Sequence, residues 1–364
     1  MPPARPAVLF VFRAILMNIH AKRIKDLQLL LKQHRLDGLL LGRTLEIGYF
    51  TGFHLDDCVM LVTRAGAWVF MPRMFVEQFK ETVTFAAPVA EDLDRAGRAL
   101  AKAKELKLKR FAFEPDAETY SRGSAWRKGG ALEHNGLTGA LRAVKEGEEI
   151  EALRKSCRIA AKAFGLVRPR IKTGRTEMSV YRELEDVMQA MGAKGPSFDM
   201  IVAFGPNSAK PHHATSERRL KNNEAVLLDY GCLYGHYCSD ITRTWFHGRA
   251  PEDFKKVYAI VAAAHKAGLA AVRAGVNANA VDAAARGLIV DAGYGQYFTH
   301  GTGHGVGLEI HEFPRVNAPS QAVLRAGMAV TVEPGIYLHG RFGVRIEDSV
   351  LVTKTGCEIL TRTN

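Results

Sequence analysis

The segment HGTGHGVGLEIHE, residues 300–312, places three histidines among glycines and could supply imidazole ligands to a metal ion. His300 and His304 have the i, i+4 spacing of a helical zinc pair, yet the segment is not His-Glu-x-x-His. Each glycine in a helix interior would cost roughly 1 kcal/mol. We therefore predict a strand or loop in which glycines let another backbone or a substrate approach closely. Its histidines then need partners from elsewhere in the chain.

The stretch AVLLDYGCLYGHYCSDITRTW contains two strand patterns and predicts a hairpin that opposes two aspartates. If the two-residue turn is Tyr234-Gly235, Asp229 lies directly across from Asp240. The Cβ atoms of the two aspartates would then be about 5 Å apart, a distance at which like charges destabilise a sheet. Such a pair needs a compensating partner.

The stretch VTVEPGIYLHGRFGVRIEDSV repeats the arrangement with two glutamates. A fold at residues 339–341 places Glu333 opposite Glu347, unless Gly335 or Gly343 inserts a bulge and shifts the register. Acids are depleted from strands and are rarely buried unless they are paired or bound to a metal. Two hairpins therefore each oppose two acids on strands that are otherwise apolar.

A metal site explains these acids better than a wet sheet edge, where they would bond to Arg243, Arg345 or water. Four carboxylates and one imidazole form an oxygen-rich set that suits two divalent cations, with manganese or cobalt favoured over zinc or iron. The predicted metal ligands are Asp229, Asp240, His304, Glu333 and Glu347.

Two domains are expected from the length of 364 residues. Alternating helix and strand patterns in the first third predict a small α/β domain, and Gly129-Gly130 with the following polar loop predicts a linker near residues 130–142. The second half opens with two long helical patterns and continues with strands joined mostly as hairpins, with helices over 251–273 and 278–292 between them. That order predicts an α+β domain with an antiparallel sheet.

Composition favours a soluble cytoplasmic protein. Five cysteines without a Cys-x-x-Cys pair suit free thiols in a reducing compartment. The net charge of +12 comes from basic residues scattered beside acids, so a solvated surface is favoured over nucleic-acid binding. The apolar run at residues 8–12 is too short to span a bilayer. We interpret residues 1–16 as an N-terminal extension, with an export signal as the alternative.

The ordered blocks LLDYG, SDITRT, GTGHGVGLEIHE, VEPGIY and RIED resemble those of the pita-bread metallopeptidases. Residues 141–364 carry this resemblance, and residues 17–140 are similar, more loosely, to the creatinase-type domain of Xaa-Pro dipeptidases and Xaa-Pro aminopeptidases. The resemblance implies an α+β fold: a C-terminal pita-bread domain with a curved antiparallel sheet and flanking helices, preceded by a smaller α/β creatinase-type domain.

The resemblance also implies how the five ligands are shared between the two ions. Asp229 would bind one ion, His304 and Glu333 the other, and Asp240 and Glu347 would bridge both. A bridging water, its pKa lowered by two cations, would attack the scissile carbonyl. Glu333 would carry the proton to the leaving proline nitrogen.

Three further residues acquire roles from the resemblance. His311 would stabilise the tetrahedral intermediate, and His212, in the loop SAKPHHATSE, would contact the substrate, with His213 as the alternative. Arg315 would bind the C-terminal carboxylate of a dipeptide, which favours a dipeptidase over an aminopeptidase. His300 matches no ligand role, and we predict a structural one.

The expected function is thus a dinuclear-metal exopeptidase that hydrolyses Xaa-Pro bonds through a metal-bridging hydroxide, with an Xaa-Pro dipeptidase favoured. The alternatives are an Xaa-Pro aminopeptidase acting on longer peptides, and a non-peptide hydrolase or lyase on the same metal scaffold. A non-catalytic binder is a third class, which the intact ligand set opposes. The expected substrate is a proline-containing peptide, the resemblance implies a homodimer, and neither nucleic acid nor a membrane is expected as a partner.

Overall fold

The computed structural model describes the backbone of residues 6–363 and the side chains of residues 19–363. The chain divides into two compact units, residues 1–141 and 142–364. The predicted N-terminal extension falls on residues 1–5, outside the described residues, and on 6–16, of which only a helical backbone is described. Within the described part of the chain, no helix is both long and apolar enough to cross a bilayer.

A six-stranded mixed sheet is the framework of the first unit. Its strands are β1 (Gly38–Leu41), β2 (Val59–Thr63), β3 (Ala67–Met71), β4 (Ala87–Ala90), β5 (Phe111–Phe113) and β6 (Leu132–Glu133). Its helices are α1 (Pro6–Gln33), α2 (Thr44–Thr51), α3 (Val76–Thr82), α4 (Arg95–Glu105), α5 (Tyr120–Lys128) and α6 (Leu137–Ala143), the last of which contains the division between the units.

The strand order β4-β3-β2-β1-β5-β6 combines two antiparallel pairs in the middle of the sheet with parallel pairs toward both edges, as is typical of a mixed α/β domain. Leu40, Phe70, Phe113 and Trp126 are among the buried side chains of its core. The apolar strand patterns found in the sequence are therefore explained by burial between sheet and helices.

The second unit combines long helices with antiparallel sheets. Its helices are α7 (Gly147–Val167), α8 (Glu177–Ala190), α9 (Glu252–Ala271) and α10 (Ala278–Asp291). Its strands are β7 (Gly195–Pro196), β8 (Ile201–Phe204), β9 (Glu224–Tyr230), β10 (Cys232–Tyr234), β11 (Tyr237–Cys238), β12 (Ile241–His247), β13 (Gly303–Gly305), β14 (Glu312–Val316), β15 (Ala329–Val332), β16 (Gly335–Leu338), β17 (Phe342–Arg345), β18 (Asp348–Val352) and β19 (Cys357–Ile359).

Every described strand pair of this unit is antiparallel, in the orders β11-β10-β7, β12-β9-β8, β14-β13-β15-β18-β19 and β16-β17. The predicted α+β class is confirmed. Helix α8 illustrates how the helices are fixed. The Thr176 side chain accepts a hydrogen bond from a first-turn N–H, and Val180, Leu184 and Met188 recur every four residues as a fully buried face.

The first hairpin turns one residue later than predicted. The turn is Gly235-His236, both with positive φ (56° and 69°) as a type I′ turn requires, so the predicted Tyr234-Gly235 turn is wrong. Consequently Asp229 pairs with Thr242, and not with Asp240. A shift of two residues preserves the face of a strand on which side chains point, so both aspartates stay on one side.

The second hairpin folds as predicted. Gly335 pairs with Arg345 and Val332 pairs with Asp348, and these two pairs share one register that places Glu333 opposite Glu347. No bulge shifts the register between these described pairs. The opposition of the two glutamates is confirmed.

The strands of the second hairpin are, however, each broken at the glutamate, where the sequence predicted continuous strands. Pro334 has no N–H to donate to a ladder. The N–H of Glu333 instead donates to the Thr302 carbonyl at 2.7 Å, and the N–H of Glu347 donates to the Thr242 carbonyl at 3.1 Å. These two bonds draw the glycine-rich segment and β12 toward the hairpin.

The glycines around His304 allow the close approach that was predicted. A Cβ at Gly303 would lie 2.0 Å from the Thr331 carbonyl oxygen, and one at Gly305 would lie 2.4 Å from the Phe313 carbonyl oxygen. Strand β13 lies between β14 and β15, and backbone atoms press on it from both sides. Any larger residue at these two positions would displace His304.

Candidate metal centre

The five predicted ligands converge on one cavity of about 590 Å³ in the second unit. Two of them lie within strands, in β9 and β13, and the other three lie at breaks between strands. Four are buried and Glu333 is partly buried. The five that line the cavity are Asp229, Asp240, His304, Glu333 and Glu347.

The potential ligand atoms are close enough to share an ion. His304 Nε2 lies 3.5 Å from Asp240 Oδ2 and 3.4 Å from Glu333 Oε1. One ligand atom each from Asp240, His304 and Glu347 lies within 4.8 Å of the others. Two atoms bound at about 2.1 Å to one octahedral ion are roughly 3 Å apart, so this spacing matches a coordination sphere.

His304 has the protonation state of a metal ligand. Its Nδ1 lies 3.0 Å from the Gly305 carbonyl oxygen, which can only accept, so Nδ1 carries the proton and donates. The lone pair of Nε2 then points toward the acids. Burial lowers the pKa of His304 to about 3, so the imidazole is neutral at physiological pH. A neutral ring with one nitrogen held by a carbonyl is the usual arrangement of histidine ligands.

Three carboxylate oxygens in the cavity are buried without a hydrogen-bond partner among the described residues: Asp229 Oδ1, Asp240 Oδ1 and Glu347 Oε1. A buried acceptor left without a partner costs about 1–3 kcal/mol, and more when it is charged. Bound cations would satisfy all three oxygens. The donor set therefore fits divalent metal ions.

The acids also repel one another. Burial, followed by the charge of Glu347, raises the pKa of Asp240 well above its usual range, and burial with the charge of Glu333 does the same to the pKa of Glu347. Burial raises the pKa of Glu333 to about 7. The metal-free cluster would therefore hold protons that cations displace on binding.

Arg345 is a central residue that sequence reasoning named only as one candidate partner of the acids. Its guanidinium is buried, and it donates to Asp229 Oδ2, to Thr242 Oγ1 at 3.0 Å and to the Tyr337 hydroxyl at 2.7 Å. The Thr242 hydroxyl donates in turn to Glu347 Oε2 at 2.6 Å. The sequence signal that could have identified Arg345 is its position. It lies two residues before Glu347 on the same arm of the hairpin, and side chains two residues apart in a strand point to the same face.

His300 also belongs to this hydrogen-bond network, and the sequence did not predict it as a metal ligand. Its Nδ1 donates to the Gly301 carbonyl, and its Nε2, 2.8 Å from the Tyr337 oxygen, accepts from that hydroxyl. Burial and the nearby Arg345 lower the pKa of His300 to about 4. The predicted structural role accounts for these bonds, and His300 also lines the cavity.

The three residues predicted to contact substrate line the same cavity. The rings of His304 and His311 meet edge to face with centroids 4.3 Å apart. Burial and the charges of Arg315 and His212 lower the pKa of His311. His212 is exposed and lines the cavity; the alternative, His213, also lines it, but it is buried and donates from Nε2 to Glu177 at 2.8 Å.

Comparisons with known proteins agree with this geometry. Residues 151–354 match the model of metallopeptidase family M24, and residues 23–155 match that of the creatinase/prolidase N-terminal domain. The chain is 34% identical over 351 residues to the Xaa-Pro dipeptidase of Pyrococcus horikoshii, covering 95% of this chain and 99% of that protein. These matches confirm the predicted resemblance in both parts of the chain.

Two solved structures are also similar over nearly their full length. The Xaa-Pro dipeptidase from Bacillus anthracis has a TM-score of 0.90 at 38% identity, covering 95% of this chain and 98% of that one. The X-Pro aminopeptidase from Thermotoga maritima has a TM-score of 0.81 at 31% identity, covering 92% and 98%. The fold of the chain is thus shared with peptidases of both named specificities.

Proposed function

This chain belongs to metallopeptidase family M24, and we propose that it is an exopeptidase that hydrolyses Xaa-Pro bonds, with Xaa-Pro dipeptides as its preferred substrates. The observation that carries the proposal is the convergence of four acids and the neutral imidazole of His304 on one cavity. The similarity to proteins named Xaa-Pro dipeptidase supports the choice of substrate.

We infer that the cofactors are two divalent ions, manganese or cobalt in preference to zinc or iron. Asp229, Asp240, His304, Glu333 and Glu347 would hold these ions. Such ions lower the pKa of a bound water and polarise the scissile carbonyl. The unpartnered oxygens of three of these acids support this assignment.

The remaining groups of the cavity suit the other steps of amide hydrolysis. Glu333, whose Oε1 lies 3.4 Å from His304 Nε2 and which lines the cavity, would carry the proton to the proline nitrogen. His311 and His212 would donate hydrogen bonds to the substrate. Phe198, Ile201 and other apolar side chains of the cavity would contact the proline ring.

Arg315 supports the preference for dipeptides. It lies on β14 at the cavity, and it is exposed. Within the described part of the chain, no acid pairs with its guanidinium. A guanidinium can bind a carboxylate through two parallel hydrogen bonds. A dipeptide presents its carboxylate one residue beyond the scissile bond, whereas a longer peptide carries an amide there.

The proposed function is tested with a panel of peptides and metals. We expect the protein with manganese or cobalt to release proline from Leu-Pro and Met-Pro, and to leave Pro-Leu intact. Faster cleavage of Leu-Pro-Xaa tripeptides would favour an aminopeptidase. Stoichiometric metal without cleavage of any peptide would favour another hydrolase or a lyase, and purification without metal would favour a binder.

Arg315→Ala is expected to raise KM for Leu-Pro by about 10-fold or more, since a charge-assisted pair is worth roughly 1.5–3 kcal/mol. KM for a Leu-Pro-Xaa tripeptide should change much less. Steady-state kinetics on both substrates measure the difference. Arg341→Ala, on an exposed turn where Arg341 pairs with Asp253, is the matched control. Equal increases for the two substrates would remove the argument for dipeptides.

We further propose domain limits of 17–140 and 141–364, a cytoplasmic location, and a homodimer as the assembled form. All five cysteines are unpaired and four of them are buried, which suits a reducing compartment. The proposed homodimer is tested by light scattering of the purified protein, where a mass of a single chain would contradict it.

A further inference from the structure

His212 lies between two neighbours that are both tied to the body of the second unit. On its N-terminal side, the Pro211 carbonyl accepts a hydrogen bond from Arg345 Nη1 at 3.3 Å. On its C-terminal side, His213 Nε2 donates to Glu177 Oε2 at 2.8 Å. His212 itself is the exposed residue between them. The backbone is thus held on both sides of a side chain that faces the cavity.

The Glu177 carboxylate accepts hydrogen bonds from several parts of residues 204–216, the segment that carries His212. The Glu177 side chain is fully buried, and its carboxylate accepts five hydrogen bonds from this segment. The donors are the Phe204 N–H at 2.8 Å, Asn207 Nδ2 at 2.9 Å, His213 Nε2 at 2.8 Å, the Ser216 N–H at 3.0 Å and the Ser216 hydroxyl at 2.5 Å. One carboxylate therefore joins the beginning, middle and end of the segment.

The position of this carboxylate is itself fixed. Glu177 is the first residue of α8, whose buried face packs in the same core as β8 and β9. A buried carboxylate is costly unless donors satisfy its oxygens, and here five donors do so. Removing the bond from His213 would take away one of the three donors to Glu177 Oε2 and would free one side of His212.

We propose that Glu177 and His213 are positioning residues, which hold the backbone so that His212 faces the substrate cavity. This inference rests on the proposed function, because it assigns the effect of both residues to the contact between His212 and the peptide. His213 does not touch substrate in this account. Its conservative replacement is glutamine, whose amide N–H can reach the same Glu177 oxygen.

His213→Leu removes the donor, and His213→Gln retains one. We expect His213→Leu to lower kcat/KM for Leu-Pro by about 10- to 100-fold, because small displacements of a contacting group are costly, and His213→Gln by at most roughly threefold. Metal content should match that of the wild type in both variants. Glu183→Gln is the control on α8, since Glu183 bonds Arg170 and Arg175 instead of the segment.

A double-mutant cycle with His212→Ala separates positioning from general structural damage. If His213 acts through His212, the loss caused by His213→Leu should shrink to about twofold or less when His212 is already alanine. An undiminished loss in that background would overturn the proposal. So would a loss in His213→Gln as large as that in His213→Leu.

Hydrogen exchange supplies a readout that does not depend on catalysis. Backbone amides of residues 205–216 should exchange faster in His213→Leu than in the wild type or in Glu183→Gln, with the rest of the second unit unchanged. If the wild type releases no proline from any dipeptide, the proposed function fails, and the exchange result still decides the anchoring. Unchanged exchange in this segment would overturn the inference in either case.

Discussion

Glu333→Ala is expected to abolish the release of proline from Leu-Pro, with kcat lowered by about 10³-fold or more. The side chain contributes an oxygen 3.4 Å from His304 Nε2, so its removal takes away one side of the proposed coordination sphere. It also removes the carboxylate that is proposed to carry the proton to the proline nitrogen.

Two matched variants make this measurement specific. Glu333→Gln keeps an oxygen and the shape of the side chain but cannot carry the proton, so it should bind metal more tightly than Glu333→Ala and remain inactive. Glu358→Ala, at a glutamate on β19 that pairs with Arg154 outside the cavity, should retain wild-type turnover. Proline release and metal content are measured in parallel. Turnover that survives Glu333→Ala, or that persists after exhaustive chelation, would show that another site carries the reaction.

The convergence of the five proposed ligands on one cavity could be predicted because their chemistry is unusual for their surroundings. Acids such as Glu333 and Glu347 are out of place in apolar strands, and a symmetrical fold-back at residues 339–341 is enough to oppose them. The register of the second hairpin therefore followed from local pattern alone. The register of the first did not, because it depends on His236 adopting a positive φ of 69°, which is uncommon for a residue other than glycine.

The groups that hold the ligands and the histidines could not be predicted in the same way. Arg345 meets Asp229 across 116 positions of the sequence, and His213 meets Glu177 across 36. Neither pair shares a strand or a helix face, so no periodicity encodes the contact. Only the packed arrangement of α8, β9 and β17 brings these groups together. Chemical type predicts which residues react, whereas tertiary packing decides which residues position them.

Without bound metal, the protein should lose thermal stability as the pH rises from 7.5 to 8.5. The pKa of Asp240 and that of Glu347 are raised well above their usual values by burial and mutual repulsion, so the folded state keeps protons that the unfolded chain has already lost. Stability from such groups is fully present below the unfolded pKa and is lost as the pH rises through the folded pKa. Each retained proton corresponds to about 1.4 kcal/mol per pH unit, or a fall in Tm of about 3 to 5 °C.

The pH window is chosen so that the buried histidines do not contribute. The pKa of His300 is lowered to about 4 and that of His304 to about 3, and an unfolded histidine titrates near 6.5, so above about pH 7.5 both rings are largely neutral in the folded and unfolded states alike. Saturating manganese should reverse the trend, since metal binding displaces the protons and is stronger at higher pH. Thermal scans with chelator and with manganese measure the dependence of Tm on pH in both states.

Glu347→Gln should flatten the metal-free dependence of Tm on pH, and Glu358→Gln should leave it unchanged. A metal-free Tm that rises across this window would contradict the buried, mutually repelling cluster on which the metal site depends.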